Sequence, residues 1–394
     1  MAYKEEEARK LVVEAGWRLK REGLIVRTWG NLSARISDTR FVITPSGLDY
    51  DAMGPEDLVI VNIRDGSYEG RRKPSSEKGI HADAYRLRPE VNFVIHTHQD
   101  KASVFGILGE SLETGKDSSI LREKIPCAEY GLPSTKKLRQ AAAEQIRRVP
   151  GAPAVFLKNH GALCMGKDYT EAFLVARELE RVCDGQLMQL FGGKSFGDIL
   201  PGGMSELLKL GRSQRKGGRF CLLLDGKRQV YEVAARSEEL PLAAAIHGEI
   251  YKNSDACYIV QEAASSVTAF CRLEETLPPY LDDLAQIAGC SLRFSGASPE
   301  KIGKAVRGRN ALLIRGAGAL CTGKTADDVE AVRMILKKGC EAGLLARAWN
   351  TGLEAGADSR EDFARNRCLP LGEADARLQR LIYIRKYSKK KDRV

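Results

Sequence analysis

The chain has 394 residues, of which 43% are hydrophobic and 29% are charged. These values are typical of a folded protein of two ordinary domains and exclude an intrinsically disordered chain. No run of eighteen apolar residues occurs, and the first residues, MAYKEEEARK, are too polar for an export signal, so we expect a cytoplasmic protein without a membrane partner.

The formal net charge of +10 favours an anionic partner, although part of it comes from the C-terminal segment IRKYSKKKDRV. The sequence has no zinc finger, no RNP-like aromatic motif and no basic helix with interleaved aromatic residues, so nucleic acid is a poor candidate. Small phosphorylated substrates would be attracted by the same charge. The ten cysteines form no C-x-x-C pair, which predicts reduced thiols in the core.

Three segments in the first part of the chain carry small polar residues where turns are expected. WGNLS contains Asn31, TPSGL contains Ser46 and Gly47, and PSSE contains Ser75 and Ser76. Hydroxyl groups, an amide and backbone N–H groups next to glycine are suited to surround a phosphate, and the third segment opens a predicted helix whose N-terminus favours an anion. Taken singly, each motif is equally well explained as an ordinary turn or helix cap.

Further along, the segment NFVIHTH predicts a strand that carries His96 and His98. Side chains two apart on a strand point to the same face, so the two imidazoles can share one ligand. His160, in KNHGALC, follows another predicted strand and precedes a glycine turn. With the carboxylate of Glu77, these three histidines form a ligand set that is common for catalytic zinc.

An internal repeat divides the chain. NHGALCMGK at 159–167 recurs as GAGALCTGK at 316–324, and IHADAYRLRPEVNFVIHTHQDKASVF recurs upstream as IHGEIYKNSDACYIVQEAASSVTAF. Two matched blocks in the same order indicate a duplicated domain. We place the boundary near residue 205, in a glycine-rich region, which gives domains 1–205 and 206–394. Nothing in the second copy resembles RTWGNLSAR, so we expect it to be shorter at its front.

The two copies differ at the proposed metal ligands. The alignment pairs ligand residues of the first copy with non-ligands of the second: His96 with Gln261, His98 with Ala263, His160 with Ala317, and Glu77 with Ala243. The joint loss of four residues indicates that they form one site. We therefore predict one zinc per chain, in the N-terminal domain, and a metal-free second domain with a basic tail. His81 remains a histidine at 247, which predicts a role in helix packing or in a hydrogen bond behind the ligands.

The motifs TWGNLSAR, FVITPSGLDY, PSSEKGIHADAY, NFVIHTH and KNHGALCMG resemble those of the class II aldolase/adducin family, and most closely its fuculose-phosphate aldolase branch. The resemblance implies α/β/α domains, each with a central, mostly antiparallel sheet flanked by helices. It implies zinc held by His96, His98 and His160, with Glu77 nearby. It also implies a phosphate site at Asn31, Ser46, Gly47, Ser75 and Ser76.

The same resemblance implies a zinc-dependent aldolase that makes or breaks a carbon–carbon bond in a phosphorylated ketose. Zinc would stabilise the enediolate, and Glu77 would leave the ion to act as the base at C3. Glutamate at 77 is similar to the aldolases, whereas the related ribulose-phosphate 4-epimerases have aspartate there. Because family members form fourfold assemblies, we expect a homodimer in which each tandem chain mimics two subunits.

Two alternatives stay open at this stage. A pentulose-phosphate dehydratase or 4-epimerase of the same family would use the same residues, and an adducin-like assembly protein would need no catalysis. The proton donor is also unassigned, because the segment GESLETGKDSSIL has no tyrosine where the aldolases carry one. Tyr130 is a nearby aromatic residue that the sequence does not equate with that donor.

Overall fold

The computed structural model describes residues 2–25, 28–115, 118–196, 206–351 and 367–388. The chain forms two compact units, Met1–Gln189 and Leu190–Val394. The boundary predicted near residue 205 lies outside the described residues. Within the described ranges, no helix is long and apolar enough to cross a membrane.

The first unit is built around an eight-stranded sheet with the order β4-β3-β2-β1-β5-β10-β9-β8. All neighbouring strands are antiparallel except β8 and β9, and β6 pairs separately with β7. The strands are β1 Asn31–Arg35, β2 Arg40–Ile43, β3 Val59–Asn62, β4 Tyr68–Glu69, β5 Phe93–Thr97, β6 Leu112–Glu113, β7 Lys124–Ile125, β8 Cys127–Ala128, β9 Ala154–Leu157 and β10 Gly161–Gly166. The helices are α1 Glu5–Arg21, α2 Lys78–Leu87, α3 Asp100–Gly106, α4 Lys136–Arg148 and α5 Tyr169–Leu190.

Helices cover both faces of this sheet because its central strands are apolar on both sides. On one face, Val94 of β5 belongs to a buried cluster that includes residues of α2 and α4. On the other face, the neighbouring Phe93 contacts the ring of Tyr169 in α5, with the ring centroids 5.5 Å apart. Since side chains alternate along a strand, His96 shares the face of Val94, the one covered by α2 and α4.

The second unit has a seven-stranded sheet with the order β13-β12-β11-β14-β17-β16-β15, antiparallel except for β15 and β16. Its strands are β11 Arg212–Lys216, β12 Arg219–Leu224, β13 Lys227–Glu232, β14 Tyr258–Glu262, β15 Phe294–Ser295, β16 Ala311–Ile314 and β17 Gly318–Gly323. Its helices are α6 Leu242–Asn253, α7 Ser265–Cys271, α8 Asp282–Ile287, α9 Pro299–Ala305, α10 Ala326–Thr351 and α11 Glu373–Ser388. The predicted fold class, helices around a mostly antiparallel sheet, is confirmed.

The central strands of the two units pair in the same register. His96 lies opposite Leu163 across β5 and β10, and Gln261 lies opposite Leu320 across β14 and β17. Both leucines belong to the sequence GALC, so the alignment of His96 with Gln261 has a structural counterpart.

The front of the second unit differs from our expectation. β11 holds the position of β1, because Ser213 contacts His247 and Tyr251 in the way that Ser33 contacts His81 and Tyr85. The second unit therefore has a counterpart of the NLSAR strand, GRSQR at 211–215. Only the serine and the last arginine are identical between these two segments, which is too little for a sequence comparison to detect.

The buried His247 makes the second unit sensitive to acid. Burial lowers the pKa of His247 to about 3, whereas an exposed histidine titrates near 6.5. The unfolded chain therefore binds the extra proton between these two pH values, and stability present above pH 6.5 is lost as the pH falls. We expect His247 to account for about 2 kcal/mol of the stability lost between pH 7 and pH 5.

The measurement is the free energy of unfolding at both pH values for wild type and for His247→Asn. The variant is less stable at pH 7, but the difference between its two pH values should be smaller by that amount. An unchanged difference between pH 7 and pH 5 would show that another group causes the loss.

Candidate metal centre

The pairing of β5 with β10 brings the three predicted histidines together. His96 lies in β5, His98 directly follows that strand, and His160 directly precedes β10. Ala162 pairs with Thr97 in this antiparallel ladder, so His160 and His98 meet at the same end of the two strands. Glu77 is the residue that precedes α2, on the face that His96 occupies.

The four side chains converge on a single point inside the first unit. Nε2 of His96 lies 3.1 Å from Nε2 of His98 and 3.1 Å from Nε2 of His160. The Glu77 carboxylate approaches from the other side, with Oε2 3.3 Å from Nε2 of His96 and Oε1 3.2 Å from Nε2 of His160. All four ligand atoms lie within 4.8 Å of one another.

These separations suit a tetrahedral metal ion. Zinc binds imidazole nitrogen at about 2.0–2.1 Å, which places neighbouring ligand atoms about 3.3–3.4 Å apart. Nδ1 of His96 donates to the carbonyl oxygen of Ala162 at 2.9 Å, so in its neutral form this ring presents the lone pair of Nε2 to the other imidazoles. Several such lone pairs at about 3.1 Å repel one another. A cation among them removes this repulsion, so the donor set fits a divalent metal.

The electrostatics keep Glu77 in its anionic form. Burial alone would raise the pKa of this carboxyl, but the electrostatic and hydrogen-bonding contacts with His96 and His160 outweigh burial and hold its pKa well below the usual range. The carboxylate is nevertheless almost completely buried, with 8% of the residue exposed. A buried anion beside three imidazoles attracts a cation strongly.

A chain of hydrogen bonds fixes the orientation of Glu77. The amide of Asn31 donates to Oε2 of Glu77 at 3.1 Å, so its oxygen accepts from Nε2 of His81, 2.5 Å away. Nδ1 of His81 then accepts from the hydroxyl of Ser33 at 2.7 Å, and Ser33 accepts from Tyr85, also at 2.7 Å. Burial, together with His96, lowers the pKa of His81 to about 3, so this ring stays neutral. A neutral ring can donate to Asn31 from Nε2 and accept from Ser33 at Nδ1.

The predicted phosphate residues lie around two adjacent loops. Ser46 donates its backbone N–H to Lys73, and Ser75 donates its own to Thr44, so the loops 44–47 and 73–76 run side by side. Gly47 adopts φ of +70°, which favours glycine, and Ser76 is exposed. The hydroxyl of Ser75 accepts from the backbone N–H of Glu77.

Asn31 was also predicted to bind the phosphate. In the structure its side chain forms hydrogen bonds with Glu77 and His81 instead, and the sequence did not suggest these contacts. The persistence of His81 at 247 predicted either helix packing or a hydrogen bond behind the ligands, and in the structure His81 donates a hydrogen bond to Asn31. Asn31 connects His81 to Glu77 through hydrogen bonds. Its counterpart in the second unit is Gly211, whose carbonyl oxygen accepts a hydrogen bond from the backbone N–H of Gln261. Tyr130 lies in the loop after β8 and is half-buried.

In the second unit, Gln261 fills the place of His96. Its amide donates to the carbonyl oxygens of Leu208 and Ala317, both at 2.8 Å, and its oxygen accepts from the N–H groups of Leu210 and Gly211. All the hydrogen-bonding capacity of the side chain is directed to backbone groups. Among the described residues, the only cluster of His, Cys, Asp and Glu placed to hold a metal is the one in the first unit.

The first part of the chain is similar to a known protein family. Residues 10–187 match the model of the family described as the class II aldolase and adducin N-terminal domain. The chain is 36% identical over 179 residues to the 5-deoxy-D-ribulose 1-phosphate aldolase of Bacillus thuringiensis serovar kurstaki, covering 44% of this chain and 82% of that protein. The chain belongs to the class II aldolase family.

Two further relatives have related names. The L-fuculose phosphate aldolase of Haemophilus influenzae is 29% identical over 184 residues, covering 46% of this chain and 83% of that protein. A solved structure of L-fuculose 1-phosphate aldolase is 30% identical and covers 50% of this chain and 91% of its own, with a TM-score of 0.44. This class II aldolase is a metal-dependent carbon–carbon lyase, and the residues that match the family model all lie in its first unit.

The aldolase site depends on a close backbone approach at Gly161, the first residue of β10. A Cβ atom there would lie 2.2 Å from the carbonyl oxygen of Thr97, in the strand that carries His96. Gly185, in the exposed part of α5, has nothing within 4 Å of the same added atom. A substitution by alanine would therefore cause a clash at Gly161 but not at Gly185, so Gly185 serves as the control position.

We expect Gly161→Ala to destabilise the protein by about 1–3 kcal/mol, because β5 and β10 must separate to admit the methyl group. Gly185→Ala should instead stabilise it by about 0.5–1 kcal/mol, since alanine is the better helix former. Chemical denaturation of both variants checks the pair. A Gly161→Ala protein as stable as wild type would mean that β5 and β10 do not approach as closely as described.

Proposed function

We propose that the first unit is a zinc-dependent aldolase that cleaves or forms a carbon–carbon bond in a phosphorylated ketose. The observation that carries the proposal is the convergence of three imidazole nitrogens and one carboxylate in a buried pocket. Two relatives are a 5-deoxy-D-ribulose 1-phosphate aldolase and an L-fuculose phosphate aldolase, which supports the substrate class.

In this proposal His96, His98 and His160 hold the zinc, with Glu77 as the neighbouring carboxylate. Bound zinc would supply Lewis-acid stabilisation of the negative charge that develops on the ketose oxygens when the bond next to the carbonyl breaks. Nδ1 of His96 donates a hydrogen bond to the carbonyl oxygen of Ala162, which orients the ring so that its Nε2 would face the metal.

Glu77 moves the proton. In the condensation direction its carboxylate removes a proton from C3 of the ketose fragment, and in the cleavage direction it returns one. Asn31 holds Oε2 of the carboxylate, and the neutral His81 holds Asn31 in turn. This arrangement keeps Glu77 ionised and limits its rotation, so that it meets the substrate in one orientation.

The loops 44–47 and 73–76 hold the phosphate of the ketose in this proposal. The hydroxyl groups of Ser46, Ser75 and Ser76 bind the phosphate, and Gly47, with φ of +70°, forms the turn beside them. The start of α2 follows Ser75 and Ser76 in the chain, and its helix end adds a partial positive charge. Anchoring the phosphate there fixes the distance from C3 to Glu77.

The first experiment measures bound metal per chain by elemental mass spectrometry after purification without added metal. We expect one zinc in wild type and a large loss in His98→Ala, because the variant lacks one of the four donors and the ion loses that bond. His247→Asn serves as the matched control and should retain one zinc, since it removes an equally buried histidine from the second unit. Two metals per chain, or metal retained in His98→Ala, would contradict the proposed site.

The second experiment tests the chemistry. Ketose 1-phosphates are incubated with the zinc-loaded protein and followed for aldehyde release, loss of water and inversion at C4. We expect aldehyde release, and we expect Glu77→Gln to lower kcat by about 10²–10⁴-fold, because the amide can neither carry a proton to C3 in cleavage nor remove one from C3 in condensation. Glu144→Gln makes the same change on the exposed surface of α4 and should leave the rate unchanged. Loss of water or inversion without aldehyde release would identify a dehydratase or an epimerase instead.

A further inference from the structure

A cationic cleft opens beside the metal centre, between the starts of α2 and α4. It has a volume of about 340 Å³, and Glu77 forms part of its wall. Since a water molecule occupies about 30 Å³ in the liquid, the cleft has room for roughly ten water molecules, or for a phosphate group with a few carbon atoms. Glu77 is therefore shared between the metal centre and this cleft.

Positive charge dominates the lining. Lys78 comes from the first turn of α2, and Lys136 and Arg139 come from the first turn of α4. Asp83 neutralises Arg139 through a two-pronged contact at 2.5 and 2.8 Å. Among the described residues, neither lysine forms an ion pair, and no acidic residue other than Glu77 lines the cleft.

Because neither Lys78 nor Lys136 forms an ion pair with any residue that the structure describes, both remain able to bind an anion in the cleft. Elsewhere in the first unit, lysines with an acidic neighbour do pair with it, as Lys20 does with Asp49 at 2.8 Å. Two like charges on the wall of one cleft repel each other, and an anion that enters the cleft reduces this repulsion. The arrangement therefore favours occupation by a phosphate or a carboxylate.

The cleft is separate from the loops proposed for the ketose phosphate. Ser46 and Gly47 lie in the loop that pairs with residues 73–76, and neither of them lines the cleft. Only Ser76 belongs to both places. A single phosphate bound at Ser46 and Gly47 would leave Lys78 and Lys136 without an anion.

We infer that the substrate carries a second anionic group, a phosphate or a carboxylate at the end remote from the ketose phosphate, and that Lys78, Lys136 and Arg139 hold this group in the cleft. The inference rests on the proposed aldolase function. The aldehyde released by cleavage is then itself an anion, and the cleft selects substrates by the charge of that fragment.

The test compares kcat/KM for a ketose 1-phosphate with that for the ketose bisphosphate of the same chain length. The zinc-loaded wild type, Lys78→Gln, Lys136→Gln and the double variant are measured together. We expect wild type to prefer the bisphosphate and the double variant to lose at least about tenfold of that preference, since each charged contact is worth roughly tenfold in binding. Lys137→Gln is the matched control, because Lys137 is the exposed neighbour of Lys136 in α4 but does not line the cleft.

A second measurement does not depend on turnover. Inorganic phosphate is titrated calorimetrically into the full-length wild type, the double variant and Lys137→Gln. We expect two sites in wild type and in Lys137→Gln, and one in the double variant, whose ketose-phosphate site remains.

The outcomes separate the inference from the proposed function. Cleavage of both substrates without preference for the bisphosphate, or a preference that survives in the double variant, overturns the inference and leaves the aldolase intact. Failure to cleave either substrate with zinc bound counts against the proposed function. In that case the phosphate titration tests the anion site in the cleft independently of catalysis. Equal phosphate binding by wild type and the double variant would overturn the inference.

Discussion

The site depends on one backbone contact, the ladder between β5 and β10 at Gly161. Because that residue has no side chain, the two strands come close enough for His160 to meet His98 at their common end. The alternation of a strand then puts His96 on the same face, toward α2 and Glu77. A rigid sheet thus sets the spacing of the donors before any metal binds, so little conformational entropy has to be lost when one does.

A buried carboxylate needs partners, and the first unit supplies them on two sides. The imidazoles contact Glu77 from the metal side, and Asn31 contacts it from the sheet side. Behind Asn31, the neutral groups of His81, Ser33 and Tyr85 satisfy one another. The hydrogen bonds among the serine, histidine and tyrosine do not depend on the proposed metal ligands. The second unit has the same contacts, from Ser213 to His247 and Tyr251, without any counterpart of the four ligands.

Much of the site could be predicted from the sequence. The four ligands stood out because the two halves of the chain differ at all four positions while the surrounding motifs agree. The role of Asn31 could not be predicted, because its partners Glu77 and His81 meet it only after the sheet has formed. The counterpart of the NLSAR strand could not be predicted for a similar reason. Its serine, Ser213, is the same in both segments and contacts His247, but most of the neighbouring residues differ between the two segments. The cationic cleft could not be predicted either, since Lys78 and Lys136 line one cleft only because α2 packs against α4.

The second unit shows what this sheet needs in order to fold. Gln261 stands in place of His96, and its side chain makes four hydrogen bonds to the backbone groups of Leu208, Leu210, Gly211 and Ala317. The registers of the central strands are nevertheless the same as in the first unit. The sheet is therefore stable without a metal centre, provided that the buried polar groups at that position are satisfied. It follows that His96, His98, His160 and Glu77 are not required by the fold, and that a bound metal ion would offset the cost of burying them together.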